Sequence, residues 1–160
     1  MKLLRLFNRQ RSRRLSLPLL RRVARHLLED LRDCRNYELG VHFIGSFEMT
    51  ELNETFLGRP GSTDVITFDH RELADDGNLH GEIFISVEDA VAQAGRFGAT
   101  WQEEIIRYLA HGVLHLEGFN DTEPGPRRAM KREENRMVRD LSRRFDPGKL
   151  EGAKNVSKHK

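Results

Sequence analysis

Two histidines, His111 and His115, stand four residues apart in the segment Ala110-His111-Gly112-Val113-Leu114-His115-Leu116-Glu117-Gly118-Phe119-Asn120-Asp121. On a helix that spacing puts both imidazoles on one face, about 6 Å apart along the axis. Rings so placed can converge on one divalent ion, with zinc–nitrogen distances of about 2.0–2.1 Å. Gly118 can end the helix, and Asp121 follows close enough to return a carboxylate to the same ion. Three protein ligands leave a fourth position open to water, which separates a catalytic site from a closed structural one. His111, His115 and Asp121 are therefore the candidate metal ligands, for Zn²⁺ or another divalent ion. A histidine pair can equally be ordinary helix residues, but Ile105, Ile106, Leu109, Val113, Leu114 and Leu116 make this helix strongly apolar. Unligated histidines there would need other polar partners.

One absence bears on the chemistry. In the H-E-x-x-H helix of zinc proteases a Glu next to the first His is the general base. Here that position is Gly112. Glu117 follows His115 by two residues, about 200° round the helix, and should point elsewhere. Peptide hydrolysis by that route is disfavoured.

The elements that must carry these residues can be read from periodicity. Met1 to Asn8 alternates loosely and reads as an edge-like strand. Leu17, with Pro18 in a first-turn position, opens a helix running to about Cys34 through Leu20, Val23, Leu27 and Leu31. Leu39 to Ile44 alternates as a strand. Ser46 is placed to cap a helix reaching Phe56, with Met49 and Leu52 on its buried side. Gly58-Arg59-Pro60-Gly61-Ser62 is loop chemistry. Asp64 to Phe68 and Glu82 to Ile85 are dense in β-branched and aromatic residues and predict two more strands. The polar, acidic stretch 69–80 between them carries a turn at Asp75-Asp76-Gly77-Asn78. Ser86 and Thr100 are capping-box positions for helices over Val87–Phe97 and from Thr100 to about Leu116. A last helix spans Gly125 to Phe145, with Met130, Met137 and Leu141 on one side. The expected fold is α+β: a single mixed sheet of about four strands with about five helices packed on it. The expected domain is 1–146, followed by a disordered tail over 147–160.

Composition bounds the rest. At 160 residues, 38% hydrophobic and 32% charged, the chain is long enough for one domain with a real core. No apolar run approaches the roughly 20 residues of a membrane span, and the basic N-terminus lacks the apolar stretch and cleavage site of a secretory signal. Cys34 is the only cysteine, which excludes an internal disulfide and fits a reducing, cytoplasmic setting. The net charge of +2 hides an asymmetry: residues 1–35 carry +8, residues 36–100 carry −9, and the remainder +3. Basic ends around an acidic middle can attract a phosphate backbone, though solvated helix faces would read the same way.

The His segment resembles the YbeY family of metal-dependent endoribonucleases, whose signature is H-G-x-L-H-L-x-G-[Y/F]-D-H. His111 through Phe119 follow it position for position. Ser62-Thr63-Asp64-Val65-Ile66-Thr67-Phe68 is similar to the family's P-T-D-V-L-S-F strand, and Gly81-Glu82-Ile83-Phe84-Ile85-Ser86 to its G-D-I-x-I-S strand. Leu52-Asn53 sit where the family has its L-N pair. The resemblance covers roughly residues 40–145. It implies a single-strand-specific, metal-dependent endoribonuclease of ribosomal RNA processing, especially 3′-end maturation of small-subunit RNA and ribosome quality control. The implied partners are ribosomal RNA and the small ribosomal subunit, with no DNA and no membrane; the oligomeric state stays open. Two departures stand out. Asn120-Asp121 replaces the family's Asp-His, so a carboxylate takes the place of an imidazole and the site loses one unit of positive charge. Leu57 stands where the family has Arg, and Arg59 where it commonly carries Lys. Arg59 is the candidate to stabilise phosphate charge in the transition state. The basic residues Arg21, Arg22, Arg25, Arg128, Arg132 and Arg136 are candidates to guide the RNA backbone, and Glu82 and Asp64 to stand behind the ligands. The alternatives are a hydrolase of another substrate class, or a metal-stabilised ribosome-binding factor without cleavage.

Overall fold

The computed structural model describes residues 1–71 and 78–152. Four strands form one sheet: β1 (Lys2–Asn8), β2 (Asn36–Ile44), β3 (Val65–Asp69) and β4 (Asn78–Ser86). Their order is β1-β2-β4-β3, with β1, β2 and β4 parallel and β3 antiparallel to β4. The helices are α1 (Leu17–Arg25), α2 (Ser46–Leu57), α3 (Val87–Phe97), α4 (Trp101–Glu117) and α5 (Pro124–Arg144). The expected α+β architecture of one mixed sheet and five helices is what forms.

Strand alternation sorts the two faces. Leu39, Val41 and Phe43 of β2 and Leu79, Ile83 and Ile85 of β4 point to one side, where all are buried with Leu4 of β1. Against them α4 lays Ile105, Ile106, Leu109, Val113 and Leu114, all within 1% of full burial. Burial on this scale, roughly 1.5–3 kcal/mol per large apolar side chain, is what fixes α4 on the sheet. The other face carries His42, Glu82, Phe84 and Phe68, partly covered by α2 through a small cluster of Ile44, Met49 and Ile66. There His42 is stacked between Phe7 and Phe84 and bonds Glu82 Oε1 through Nε2 at 2.5 Å.

Several boundaries differ from those predicted, each for a tertiary reason. The strand expected over Glu82–Ile85 begins at Asn78, because β4 pairs with β2 over its whole length from Asn36↔Asn78 to Ile44↔Ser86. Of the acidic connector, residues 72–77 lie outside the described residues, and with them most of the expected turn. Ser46 does not cap α2. Gly45 is the cap residue, and the Ser46 N–H donates instead to Glu88 Oε1 of α3 at 2.6 Å. Beyond α1 the helix widens into a π-helical segment, His26–Leu31, which no local pattern announced. Residues 147–150, placed in the expected tail, form a 3₁₀ turn whose Leu150 is buried; Ser16 N–H donates to its carbonyl at 2.8 Å. Residues 153–160 of that tail lie outside the described residues. Among the described residues no helix is long and apolar enough to cross a membrane.

Candidate active site

The site begins with the way α4 starts and stops. Thr100 accepts from the Glu103 N–H at 3.1 Å while Glu103 bonds back to the Thr100 N–H at 2.9 Å, so the capping box closes as predicted. At the other end Gly118 has φ +107°, a left-handed conformation an L side chain rarely adopts, and its N–H bonds the His115 carbonyl at 3.0 Å. That turn sends the chain back toward the helix. Asp121 Oδ2 thereby lies 3.6 Å from His111 Nε2.

Gly112 has a structural reason. A Cβ there would sit 2.8 Å from Ile83 Cγ2, so the residue marks the closest approach of α4 to β4. Position 112 faces the sheet, and a side chain there would meet Ile83 before any reacting group. Glu117 is likewise directed away, its carboxylate held by Arg32 at 2.7 Å.

His111 is oriented from behind by Glu134 of α5, whose Oε1 lies 2.8 Å from His111 Nδ1. Glu134 is 4% exposed, and its other oxygen accepts from Arg107 Nη1 at 2.7 Å and Lys131 Nζ at 3.3 Å. Burial alone would raise its pKa; the hydrogen bonds from His111 and Arg107 and the Lys131 charge overcome that and hold it at about 2. Burial pulls the His111 pKa down, but the Glu134 bond and the charges of Glu134 and Asp121 win, and the net shift is upward. His115 moves the other way, lowered first by burial and then by the charge of His111. Its Nδ1 lies 3.3 Å from Thr67 Oγ1 of β3. With both Nδ1 atoms engaged, each ring keeps its Nε2 for another partner. This is the arrangement metal-binding histidines use, a carboxylate or hydroxyl fixing the far nitrogen.

The structure brings His111 and Asp121 together, with the His115 ring centre 6.2 Å from that of His111. As the side chains stand, no group of three His, Cys, Asp or Glu among the described residues is arranged to hold an ion. His111, Asp121, Glu134, Arg107, Arg127 and Lys131 line a cavity of about 600 Å³ whose wall also includes residues of α3, α4 and β3. Arg59 does not line it; that residue is exposed on the loop after α2, its backbone N–H bonded to the Asn53 carbonyl. Asp64 does line it. Glu82 does not stand behind the ligands: it lies on the opposite face of the sheet, between His42 and His70, because it is in register with Phe68 while its neighbour Ile83 meets α4. Sequence reasoning missed Glu134. Its signal was present all the same, a carboxylate on the apolar stripe Met130–Met137–Leu141 of α5, where a charge must find a partner.

Together these features define a class: a small α+β protein whose sheet-backed helix carries paired histidines, one of them at the wall of a cavity that charged side chains also line. A Thermotoga maritima protein known from its solution structure superposes with a TM-score of 0.66 over 99% of both chains, at 22% identity, a likeness of fold. At the sequence level the profile of the family described as Endoribonuclease YbeY matches residues 5–142. The Endoribonuclease YbeY of Bacteroides thetaiotaomicron is 36% identical over 101 residues, covering 63% of this chain and 72% of that one. That of Syntrophotalea carbinolica is 33% identical over 132 residues, covering 79% and 87%. The chain belongs to the endoribonuclease YbeY family.

Proposed function

We propose that this protein is a single-strand-specific, metal-dependent endoribonuclease of the cytoplasm. It would act in ribosomal RNA processing, chiefly 3′-end maturation of small-subunit RNA and ribosome quality control. The observation that carries the reading is the His111–Glu134 pair: a buried carboxylate fixes one imidazole nitrogen and leaves the other facing the cavity beside Asp121.

His111, His115 and Asp121 are the residues that would hold one Zn²⁺ or similar ion. Such an ion supplies Lewis acidity and lowers the pKa of a bound water. The chain's own part is orientation and charge. Glu134 keeps the His111 Nδ1 proton in place, and Thr67 does the corresponding work at His115. Arg127 and Lys131, at the cavity wall, are placed to meet a phosphate oxygen, and Lys131 also tempers the charge of Glu134. Arg59 would contribute only if its loop turned inward on RNA.

The test is metal content by mass spectrometry of untagged protein, with His115→Ala and Asp121→Ala beside it, followed by cleavage of single- and double-stranded ribosomal RNA fragments. One equivalent of zinc, lost in both variants, with cleavage confined to single strands, is the expected result. No metal even after reconstitution would remove the mechanism. A second reading, a ribosome-binding factor without cleavage, draws support from Leu57 standing in place of the family's Arg and from the distance of Arg59 from the cavity. Metal and RNA binding without cleavage would select it.

A further inference from the structure

The cavity does not stop at His111. It is also lined by Asp64, just before β3, Gln93 and Phe97 of α3, and Glu104 and Tyr108 of α4, the part of the cavity beside α3. Glu104, Tyr108, His111 and His115 succeed one another at intervals of four, three and four, so one face of α4 runs from the proposed metal ligands to this part of the cavity. Two polar atoms here are buried without a hydrogen-bond partner, the Tyr108 hydroxyl and Gln93 Oε1. Tyr108 is only 4% exposed. Buried polar atoms are ordinarily paired, and an unpaired pair lining one cavity points to a partner that arrives from outside. Burial, followed by the charges of Asp64 and Glu104 and by the nearness of the Glu104 carboxylate to the hydroxyl, pushes the Tyr108 pKa up, so its hydroxyl stays protonated and able to donate. Phe97 ends α3 and is 73% exposed, a flat apolar face left in water at the cavity rim.

We propose that this part of the cavity is a nucleobase subsite that takes guanine, with Phe97 stacking on the base and the Glu104 carboxylate accepting from its N1–H and N2–H. The inference rests on the RNA-cleaving reading and gives that site a substrate preference. The chemistry selects the base. A carboxylate only accepts hydrogen bonds, and among the four RNA bases only guanine offers two adjacent N–H donors on its Watson–Crick edge. Adenine and cytosine set their amino group beside a ring nitrogen whose lone pair would face the carboxylate. Uracil offers one N–H between two carbonyls. Glu104, on the same face of α4 as Tyr108, is the carboxylate placed to read the base beside that hydroxyl, while Asp64 Oδ1 is already engaged by the Val65 N–H at 2.8 Å. The Tyr108 hydroxyl is the donor for guanine O6. Base stacking on an exposed aromatic is the general way proteins hold unpaired RNA.

Two measurements test this on the zinc-supplied protein. The first is binding of guanosine, inosine, adenosine and uridine 5′-monophosphates, followed by chemical shifts of the Tyr108 and Phe97 rings. The second is cleavage of short uridine oligomers carrying one guanosine or one inosine, which lacks the N2 amino group. The guanosine nucleotide should bind at least tenfold tighter than adenosine or uridine. Inosine should fall about tenfold below guanosine in both assays, the equivalent of one charge-assisted hydrogen bond. Glu104→Gln should erase the preference for guanine. Phe97→Ala, at an exposed position where folding is not at stake, should weaken all nucleotides about tenfold while keeping their order. Cleavage without base preference, with all mononucleotides bound equally, overturns the subsite and leaves the nuclease reading standing. Guanine-selective binding with no cleavage of any RNA supports the subsite and overturns the nuclease reading. Absence of both overturns both.

Discussion

The Glu134 carboxylate has three cationic or potentially cationic neighbours, His111, Arg107 and Lys131, and almost no contact with water. Its pKa sits at about 2 against an ordinary 4.5. A depressed carboxylate contributes stability that is fully present above its unfolded value and is lost as pH falls through the folded one. Urea midpoints measured between pH 7 and pH 2 should therefore fall across the window from about 4.5 to 2. Glu134→Gln removes the titrating group, so that part of the decline should vanish from its profile. Above pH 5 the same variant should be less stable by about 2 kcal/mol, since it leaves Arg107 and His111 short of a charged partner. A profile identical to wild type would mean that the carboxylate is not held as described. Zinc titration of the same variant addresses the proposed site, where loss of such a supporting carboxylate should weaken affinity by roughly 10–100-fold. The approach of Asp121 to His111 was legible in the sequence because a helix repeat and a glycine stop are local rules. Glu134 was not, because the Met130–Leu141 stripe marks a buried face without saying which residue it will meet.

At the scale of the element, α4 is positioned by two glycines with different duties. Gly112 lets the helix approach Ile83, and Gly118 lets the chain reverse toward His111. Gly112→Ala must displace a fully buried Ile83, and overpacking of this kind costs about 1–3 kcal/mol. Gly118→Ala meets no atom within 4 Å, so its cost is conformational, about 1 kcal/mol for holding an L residue at positive φ. The two should separate by readout. Gly112→Ala should lower the melting temperature more, by several degrees. Gly118→Ala should mainly move Asp121, seen as altered zinc affinity with a melting shift of only about 2–4 °C. Equal effects on both readouts would show that the reversal after α4 does not depend on its glycine. The helices and strands whose signals are local, such as α3 with Ser86 and α4 with Thr100, appear where the sequence placed them. The elements that moved take their ends from partners: β4 from its ladder with β2, α2 from Glu88 of the next helix.

On the whole molecule, the charge asymmetry of the sequence resolves into two kinds of cation. Many are neutralised locally. Arg9 bonds Glu48, Arg25 bonds Glu29, Arg32 bonds Glu117 and Glu133, and Arg136 bonds Glu133. Arg21 is turned inward to the Leu4 carbonyl at 2.8 Å. Of the six basic residues put forward as an RNA path, Arg22, Arg128 and Arg132 are exposed with no ion pair among the described residues, Arg22 over the Phe145 ring and the other two on α5. Arg128 and Arg132 lie one turn apart on the helix that also delivers Lys131 and Glu134 to the cavity, so a strand bound at the proposed site would run on along α5. Each phosphate neutralised on single-stranded RNA contributes about 0.7 to the slope of log K against log salt. Arg128→Gln/Arg132→Gln should therefore lower that slope by about 1.4 for a single-stranded ribosomal RNA fragment, measured by filter binding from roughly 50 to 200 mM salt. Arg25→Gln, whose partner Glu29 would be left behind, should not reduce the slope. A double variant that weakens binding at every salt with the slope unchanged would assign these arginines a contact other than phosphate. An unchanged curve would move the RNA path off α5.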